Sequence, residues 1–523
     1  MSEGGDSLML GKRLRRWLWP TALTILAAIA NILYSGVSFI YYPITLPDPN
    51  CYLTVGRAMA AGKVMYKDIF DQKGPWTYFL HWFTITITPN QGDYGYLIFD
   101  IFFTVLILWF AYKIMRLYLS FQWSALLTPV YLVLIMQPYF YPMGDTVEIT
   151  CMPVMLAAIY LVLRQVRQPD RLVHWWESGL LGVGLSWILW TKFSLILLPG
   201  VATLVLITYV WRAQGAPEAL RHIIWGVIGA LLPTIPVIIY FAVNHAFSYL
   251  FHYYFVVNLT AYSPASRMIL PLAILRGMTY GIFHNLTSNW GLGIAGVLFF
   301  LSFFVGPVAP RRWGDRLAIF LPFFAGLFAV AYPQYGGYYV YPDWVIAPIA
   351  AVTGAWLLVK AFPMLKGWQL AGRHLGFAWT GVAFTLLLVL ASLNTTPRQS
   401  WLYNKGKPVF DQFVAPIRKD PNQDASLMLY NVMDQGFYYF AGNKIPPTRY
   451  FTHYNIKDKQ FPELKQDLNK RLRARSVDYV ITRHGTAKKY RKFKVAKVIK
   501  QNYRLIKTLP YWGMTYDLYQ AKK

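Results

Sequence analysis

The chain has little charge, and very little of one sign. Of its 523 residues 14% are charged, and Asp plus Glu number 23 against 50 Lys plus Arg. Soluble globular proteins carry about 25% charged residues, so a single water-soluble domain is excluded. Cysteine is nearly absent. Cys51 and Cys151 are the two, and neither lies in a CxxC or other metal-ligand spacing, which excludes a disulfide scaffold and a cysteine-based zinc site. Both are expected as small buried hydrophobes rather than as a bridge. No fixed-period repeat and no low-complexity linker is visible.

What is present is apolar and aromatic: 56% hydrophobic residues, 20 Trp and 38 Tyr, and a mean hydropathy of +0.34. Trp and Tyr favour membrane interfaces. A spanning helix needs about 20 apolar residues. Stretches that fit are 17–40, 94–115, 122–140, 147–163, 178–191, 193–211, 222–243, 290–306, 316–332, 343–360 and 375–393, eleven in all. The first begins behind Lys12-Arg13-Leu14-Arg15-Arg16. That basic start resembles a signal peptide, but the apolar run behind it exceeds the usual ~7–15 residue signal core, so an uncleaved first helix is expected.

Charge then sets an orientation. With eleven spans, Lys12 to Arg16, Lys113/Arg116, Arg164/Arg167/Arg171, Arg212/Arg221, Arg311/Arg312/Arg316 and Lys360/Lys366/Arg373 all fall on one side. By the positive-inside rule that side is cytoplasmic, with the N-terminus inside and the C-terminus outside. A net charge of +27 therefore needs no nucleic-acid partner. Residues 1–396 form the membrane part and 41–93 its first outer loop, in which the apolar segment Trp76 to Thr88 is an interfacial helix. Residues 397–523 change composition, with 26 Lys plus Arg against 9 Asp plus Glu. Strand patterns at 426–430, 477–482 and 516–519 and an amphipathic helix at 461–474 predict a small extracytoplasmic α/β domain. Its basic surface fits solvent exposure, or contact with an anionic leaflet or polyanionic envelope polymer.

Against this background one stretch stands out. Between Leu46 and Pro75 the chain gathers Asp48, Arg57, Lys63, Lys67, Asp68, Asp71 and Lys73. Ionisable groups kept at a membrane edge mark sites where ligands are handled. The string Tyr66-Lys-Asp68-Ile-Phe-Asp71-Gln-Lys73-Gly74-Pro75, behind one span and before many, resembles the first-loop motif of the GT-C superfamily of integral-membrane glycosyltransferases. Within it the chain is similar to bacterial relatives of protein O-mannosyltransferases and of the lipid A aminoarabinose transferase. Gly144-Asp145-Thr-Val-Glu148, Lys192 at a hairpin and Gly336-Gly-Tyr338-Tyr339-Val-Tyr341-Pro342 add support. The resemblance covers about residues 10–395.

The resemblance implies a fold and a reaction. The fold is a polytopic α-helical membrane protein of GT-C type. The reaction is inverting transfer of a sugar from a polyprenyl-phosphate donor to an extracytoplasmic envelope acceptor, a glycan, teichoic acid or lipid. Such chemistry needs a carboxylate base, fixed cations for the leaving phosphate and an apolar groove for the isoprenoid. Asp48, the only acid between Ile40 and Lys67, is the expected base. Asp68, Asp71 and Lys73 are expected to bind the acceptor or orient the loop. Asp145 and Glu148 share a helix face and form a second acidic pair. Lys192, Arg267 and Arg276 are candidates for the donor phosphate. Tyr338 and Tyr339 are candidates for stacking on sugar, or belong to an aromatic belt. No cofactor is required; the acids would accept a divalent metal, and no His/Cys spacing argues for one. Asp100, inside a span, has no evident partner in the sequence; a neighbouring helix end and Arg57 are the alternatives. Two other classes remain. A lipid or polysaccharide transporter or flippase would show inverted repeats and helices broken at the midplane, and an envelope polymerase or ligase would carry its charge-dense loop late in the chain.

Overall fold

A helix stands at each of the eleven apolar stretches in the computed structural model. It describes residues 3–40, 47–88, 95–137, 144–262, 289–331, 337–363, 365, 375–392, 409–454, 456, 458–485, 495–511 and 513–522. In chain order the helices are α1 (Glu3–Tyr34), α2 (Pro47–Ala60), α3 (Pro75–Ile87), α4 (Leu97–Arg116), α5 (Phe121–Ile135), α6 (Val147–Arg167), α7 (Trp175–Lys192), α8 (Leu197–Gln214), α9 (Ala216–Val243), α10 (Trp290–Leu301), α11 (Trp313–Ala331), α12 (Ala347–Ala361) and α13 (Leu375–Ser392). Among the described residues, five helical segments are long and apolar enough to cross a bilayer: 97–116, 147–167, 197–214, 216–243 and 341–361. Local chemistry sets the ends. Ser120 caps α5 by accepting from the Trp123 amide, and Asn289 caps α10 by accepting from Leu292 at 2.9 Å. Gly215, at φ +87°, ends α8.

The chain divides into two compact units. The first comprises residues 1–40, 97–235 and 268–398, and α6 is its centre. The apolar core of α6 is 83% buried, against 17% for α9. α9 instead exposes Ile224, Ile228 and Leu232 along one face. Leaving such side chains in water forfeits about 1.5–3 kcal/mol each, so hydrocarbon is the solvent this face fits. This is a polytopic membrane protein.

Ion pairs clamp α6 to α7 at both ends. Glu148, in the first turn of α6, pairs with Lys192, in the last turn of α7. Arg164, near the end of α6, forks onto Glu177, in the first turn of α7, at 2.5 and 2.6 Å. Each acid lies at a helix start and each base at a helix end, so both pairs also suit the helix dipoles. Sixteen residues separate Glu148 from Arg164, about 24 Å along the axis. That distance approaches the ~30 Å hydrocarbon thickness of a bilayer.

The second unit comprises residues 41–96, 236–267 and 399–523. Here α2 is buried over residues 49–59 and crosses α3 at Gly56, where a Cβ would stand 2.8 Å from the His81 backbone. Only glycine permits that approach. The tail folds as α14 (Val409–Arg418), β1 (Leu427–Tyr430), α15 (Gly436–Phe440), α16 (Pro462–Ala474), β2 (Tyr479–His484), α17 (Lys497–Asn502), β3 (Tyr503–Tyr511) and β4 (Met514–Ala521). The sheet order is β1-β2-β4-β3, with β1 parallel to β2 and the other pairs antiparallel. β1 and β2 are almost wholly buried, while β3 is an exposed edge.

Candidate active site

In the second unit the charge-dense stretch folds into a loop joining α2 to α3, and hydrogen bonds account for its spacing. Tyr66 adopts φ +64°, costly for a residue of its size. Its amide donates to Ile69 O at 2.7 Å and its hydroxyl to Lys73 O at 2.5 Å. Its fully buried ring stacks on Phe241 at 5.7 Å and Tyr254 at 6.4 Å. The Asp68 carboxylate accepts the Val64 amide at 2.8 Å and closes the turn. Asp71 accepts the Tyr78 hydroxyl at 2.6 Å, and that hydroxyl accepts the Lys73 amide at 3.0 Å. Gly74 then caps α3 and Pro75 opens it. Tyr66, Asp68, Asp71 and Lys73 of the motif thus each have a place in the loop, through a side chain or the main chain.

Asp48 lies in the first turn of α2, behind Pro47. It shares an electrostatic neighbourhood with Asp71, Cys51 and Lys73. Burial raises the Asp71 carboxyl above its ordinary value; Lys73, the Tyr78 hydroxyl and the Gln72 amide hold it down, and Asp48 adds to the rise. Burial also pushes the Cys51 thiol well up, helped by Asp71 and Asp48 and opposed by Lys73. Three of the expected residues, Asp48, Asp71 and Lys73, are therefore brought together. Asp68 bonds within the loop, which favours its orienting role. Cys51 and Cys151 are both buried free thiols. Among the described residues, no three His, Cys, Asp or Glu side chains gather as metal ligands.

Residues of the tail complete this neighbourhood. Asn50 donates to Asp434 at 3.5 Å, and Arg57 stacks over the Tyr439 ring at 4.7 Å. The Phe70 amide donates to Arg449 O at 2.9 Å, and the Tyr454 hydroxyl to Phe70 O at 2.5 Å. Phe70 itself is fully buried among Tyr253, Tyr450, Tyr454 and Phe461.

The first unit holds the other expected charges. Asp145 has φ +45°, following Gly144 at +69°. Asp100 receives this turn, accepting the Asp145 amide at 3.2 Å and the Ser35 hydroxyl at 2.9 Å. A side chain at Gly144 would collide with Ser35. The partners of Asp100 thus include a turn and a serine. Glu148, fully buried, pairs with Lys192, whose side chain is 17% exposed. Arg267 and Arg276 lie outside the described residues, as do the side chains of Tyr338 and Tyr339.

No protein-family model matches this chain, and no curated protein is a significant match. Among solved structures it is similar to ArnT from Cupriavidus metallidurans, in the crystal structure of that protein bound to undecaprenyl phosphate. The match has 14% sequence identity and a TM-score of 0.55, and covers 96% of this chain and 97% of that one. The chain shares the fold of that protein. This is the fold that the first-loop motif implied.

Within that fold, sequence reasoning missed the residues that hold the charges in place. Tyr78 orients Asp71, but one tyrosine in an aromatic-rich helix gives no warning of it. Ser35, bonded to Asp100, supports the Asp145 turn across a gap of 110 residues. Arg449 reaches the Lys67 carbonyl at 2.7 Å across 382 residues. Nothing local in a sequence records a contact of that separation.

Proposed function

We propose that this chain is an integral-membrane glycosyltransferase that moves a sugar from a polyprenyl-phosphate donor to an envelope acceptor outside the cytoplasm. One observation carries the reading. Over nearly the full length of both chains, the fold is shared with a protein whose crystal structure holds undecaprenyl phosphate. The gathering of Asp48, Asp71 and Lys73 in the first-loop unit supports it.

In this reading Asp48 takes the proton from the acceptor hydroxyl as its oxygen attacks the anomeric carbon. The bond to the donor phosphate breaks on the opposite face, which inverts that centre. The phosphate leaves with growing negative charge, and fixed cations stabilise it. Lys192, Arg267 and Arg276 are the candidates for that charge, and Lys73 goes with the acceptor-binding loop. Lys192 exchanges the Glu148 carboxylate for the phosphate, so it keeps an anionic partner throughout. Asp68 and Asp71 shape the loop and present it to the acceptor. The cytoplasmic N-terminus and the outward-facing first loop and tail belong to the same proposal.

The test supplies purified protein with polyprenyl-phosphate sugars and an envelope-lipid or glycan acceptor, and follows sugar transfer. Wild-type protein should transfer sugar, and Asp48→Asn should not while still binding the donor. Full activity in Asp48→Asn would overturn the base assignment. Failure of the wild type on every donor would overturn the transferase reading.

A further inference from the structure

We infer that Arg449, in the C-terminal tail, is a positioning residue for the first-loop site and makes the tail part of the catalytic apparatus. The inference rests on the transferase reading above. Its structural basis is a set of contacts within the second unit, none of which the motif contains.

Arg449 uses both the edge and the face of its guanidinium. Its Nε donates to Lys67 O at 2.7 Å, and Nη1 donates to the Tyr253 hydroxyl at 2.6 Å. The guanidinium lies 5.1 Å from the Tyr249 ring centroid and 5.4 Å from that of Tyr253. Its own carbonyl accepts the Phe70 amide. The two main-chain bonds bracket Asp68 and Ile69, the residues between the Tyr66 bend and Asp71. Asn258 adds a third tie, donating to Gln72 O at 2.8 Å. The Tyr253 hydroxyl also meets Tyr450 at 3.0 Å, which fixes the acceptor that orients the guanidinium.

Such an arrangement does more than fasten two surfaces together. A planar fork donating in two directions fixes an angle as well as a distance, which a lysine does not. The contacts fall on the carbonyl and amide of the loop and leave its acids and Lys73 to their own partners. The strained φ at Tyr66 gives this stretch a reason to relax when the bonds are lost. A misplacement of about 1 Å in a catalytic group costs on the order of 10²-fold in rate.

The experiment compares wild type with Arg449→Ala, Arg449→Lys and Tyr253→Phe in the full-length protein. It measures kcat and KM for polyprenyl-phosphate sugar, melting temperature, and amide hydrogen exchange over residues 64–74. Arg449→Ala should lower kcat about 10–100-fold with KM for the donor changed less than about threefold. It should accelerate exchange at 66–73 while β2 and β4 stay protected. Arg449→Lys should recover only a minor part of kcat. Tyr253→Phe, which removes one oxygen, should give the same pattern more weakly; if Arg449→Ala does not fold, it alone decides. Wild-type kcat and unchanged exchange in Arg449→Ala, or in Tyr253→Phe where that variant decides, would overturn the inference, as would full rescue by lysine. A wild type inactive on every donor would overturn the transferase reading, and exchange at 66–73 would still decide whether Arg449 holds the loop.

Discussion

Charge is treated in opposite ways between α6 and α7 and in the first loop. In the membrane unit the two buried helix-end pairs set opposite charges together: Lys192 on Glu148 and Arg164 on Glu177. In the first loop, neutral groups hold the ionisable ones. A tyrosine hydroxyl takes Asp71, a backbone amide takes Asp68, and a backbone carbonyl takes Arg449. An ion pair neutralises both members, which suits groups that must lie near hydrocarbon. A hydroxyl or amide orients a charge without cancelling it. Charge that is oriented and uncancelled is what a reaction with developing charge requires. In the proposed reading the loop carries the base, and the helix-end pairs have first a structural role.

Replacing Asp48 strikes that distinction hardest. General-base catalysis contributes about 10²–10⁴-fold, so Asp48→Asn should lower transfer by about 10³-fold. The melting temperature should hardly change. A comparable loss from Glu148→Gln, with Asp48→Asn near normal, would reverse the assignment of roles between the units.

The next effect is on stability and belongs to the membrane unit. Lys192→Met leaves Glu148 fully buried without its cation. Removing one partner of a buried pair costs about 3–5 kcal/mol, read as a lower melting temperature in detergent. The double variant Glu148→Gln/Lys192→Met should recover most of the loss. If the single variant melts like wild type, Lys192 does not hold α6 and α7 together.

How much of this was legible in the sequence follows the same division. Apolar runs gave the helices, because the burial or lipid exposure of a 20-residue stretch is a local property. The first-loop motif pointed to the fold, because its letters bond to one another within a few residues: Tyr66 to Lys73, Asp68 to Val64. The clustering of Asp48 with Asp71 and Lys73 was within reach, since α2 and α3 are joined by that loop. The pairing of Glu148 with Lys192 was not, although both had been singled out. They lie 44 residues apart, and only the antiparallel return of α7 along α6 brings them together. The joining of residues 41–96 and 236–267 with the tail in one unit was also hidden. It depends on Phe70 and Arg449, which carry no signal until the chain has folded.

A smaller effect concerns the hydroxyls. Tyr66→Phe removes the bond to Lys73 O and should cost about 1 kcal/mol. Exchange at residues 66–73 should quicken, with kcat falling a few-fold. The same change at Tyr131, a buried tyrosine of the membrane unit, should leave that loop's exchange rates as they are. Equal effects on the loop from both would mean that its order reflects global stability alone.

The smallest effect is a dependence on pH. Burial raises the Asp71 carboxyl in the folded protein, against the opposing pull of Lys73 and the Tyr78 hydroxyl. The unfolded chain releases that proton in the ordinary carboxylate range. Between the two values the folded form binds more proton than the unfolded form. The stabilising contribution is therefore full below the ordinary range and is lost as pH rises through the raised folded value. Asp71→Asn removes the titration, so the melting temperature of wild type relative to that variant should fall with rising pH across this window and then level off. Tyr78→Phe deletes a bond that favours the ionised form and should move the window to higher pH. If the relative stability instead grew with pH, Lys73 and Tyr78 would outweigh burial at Asp71.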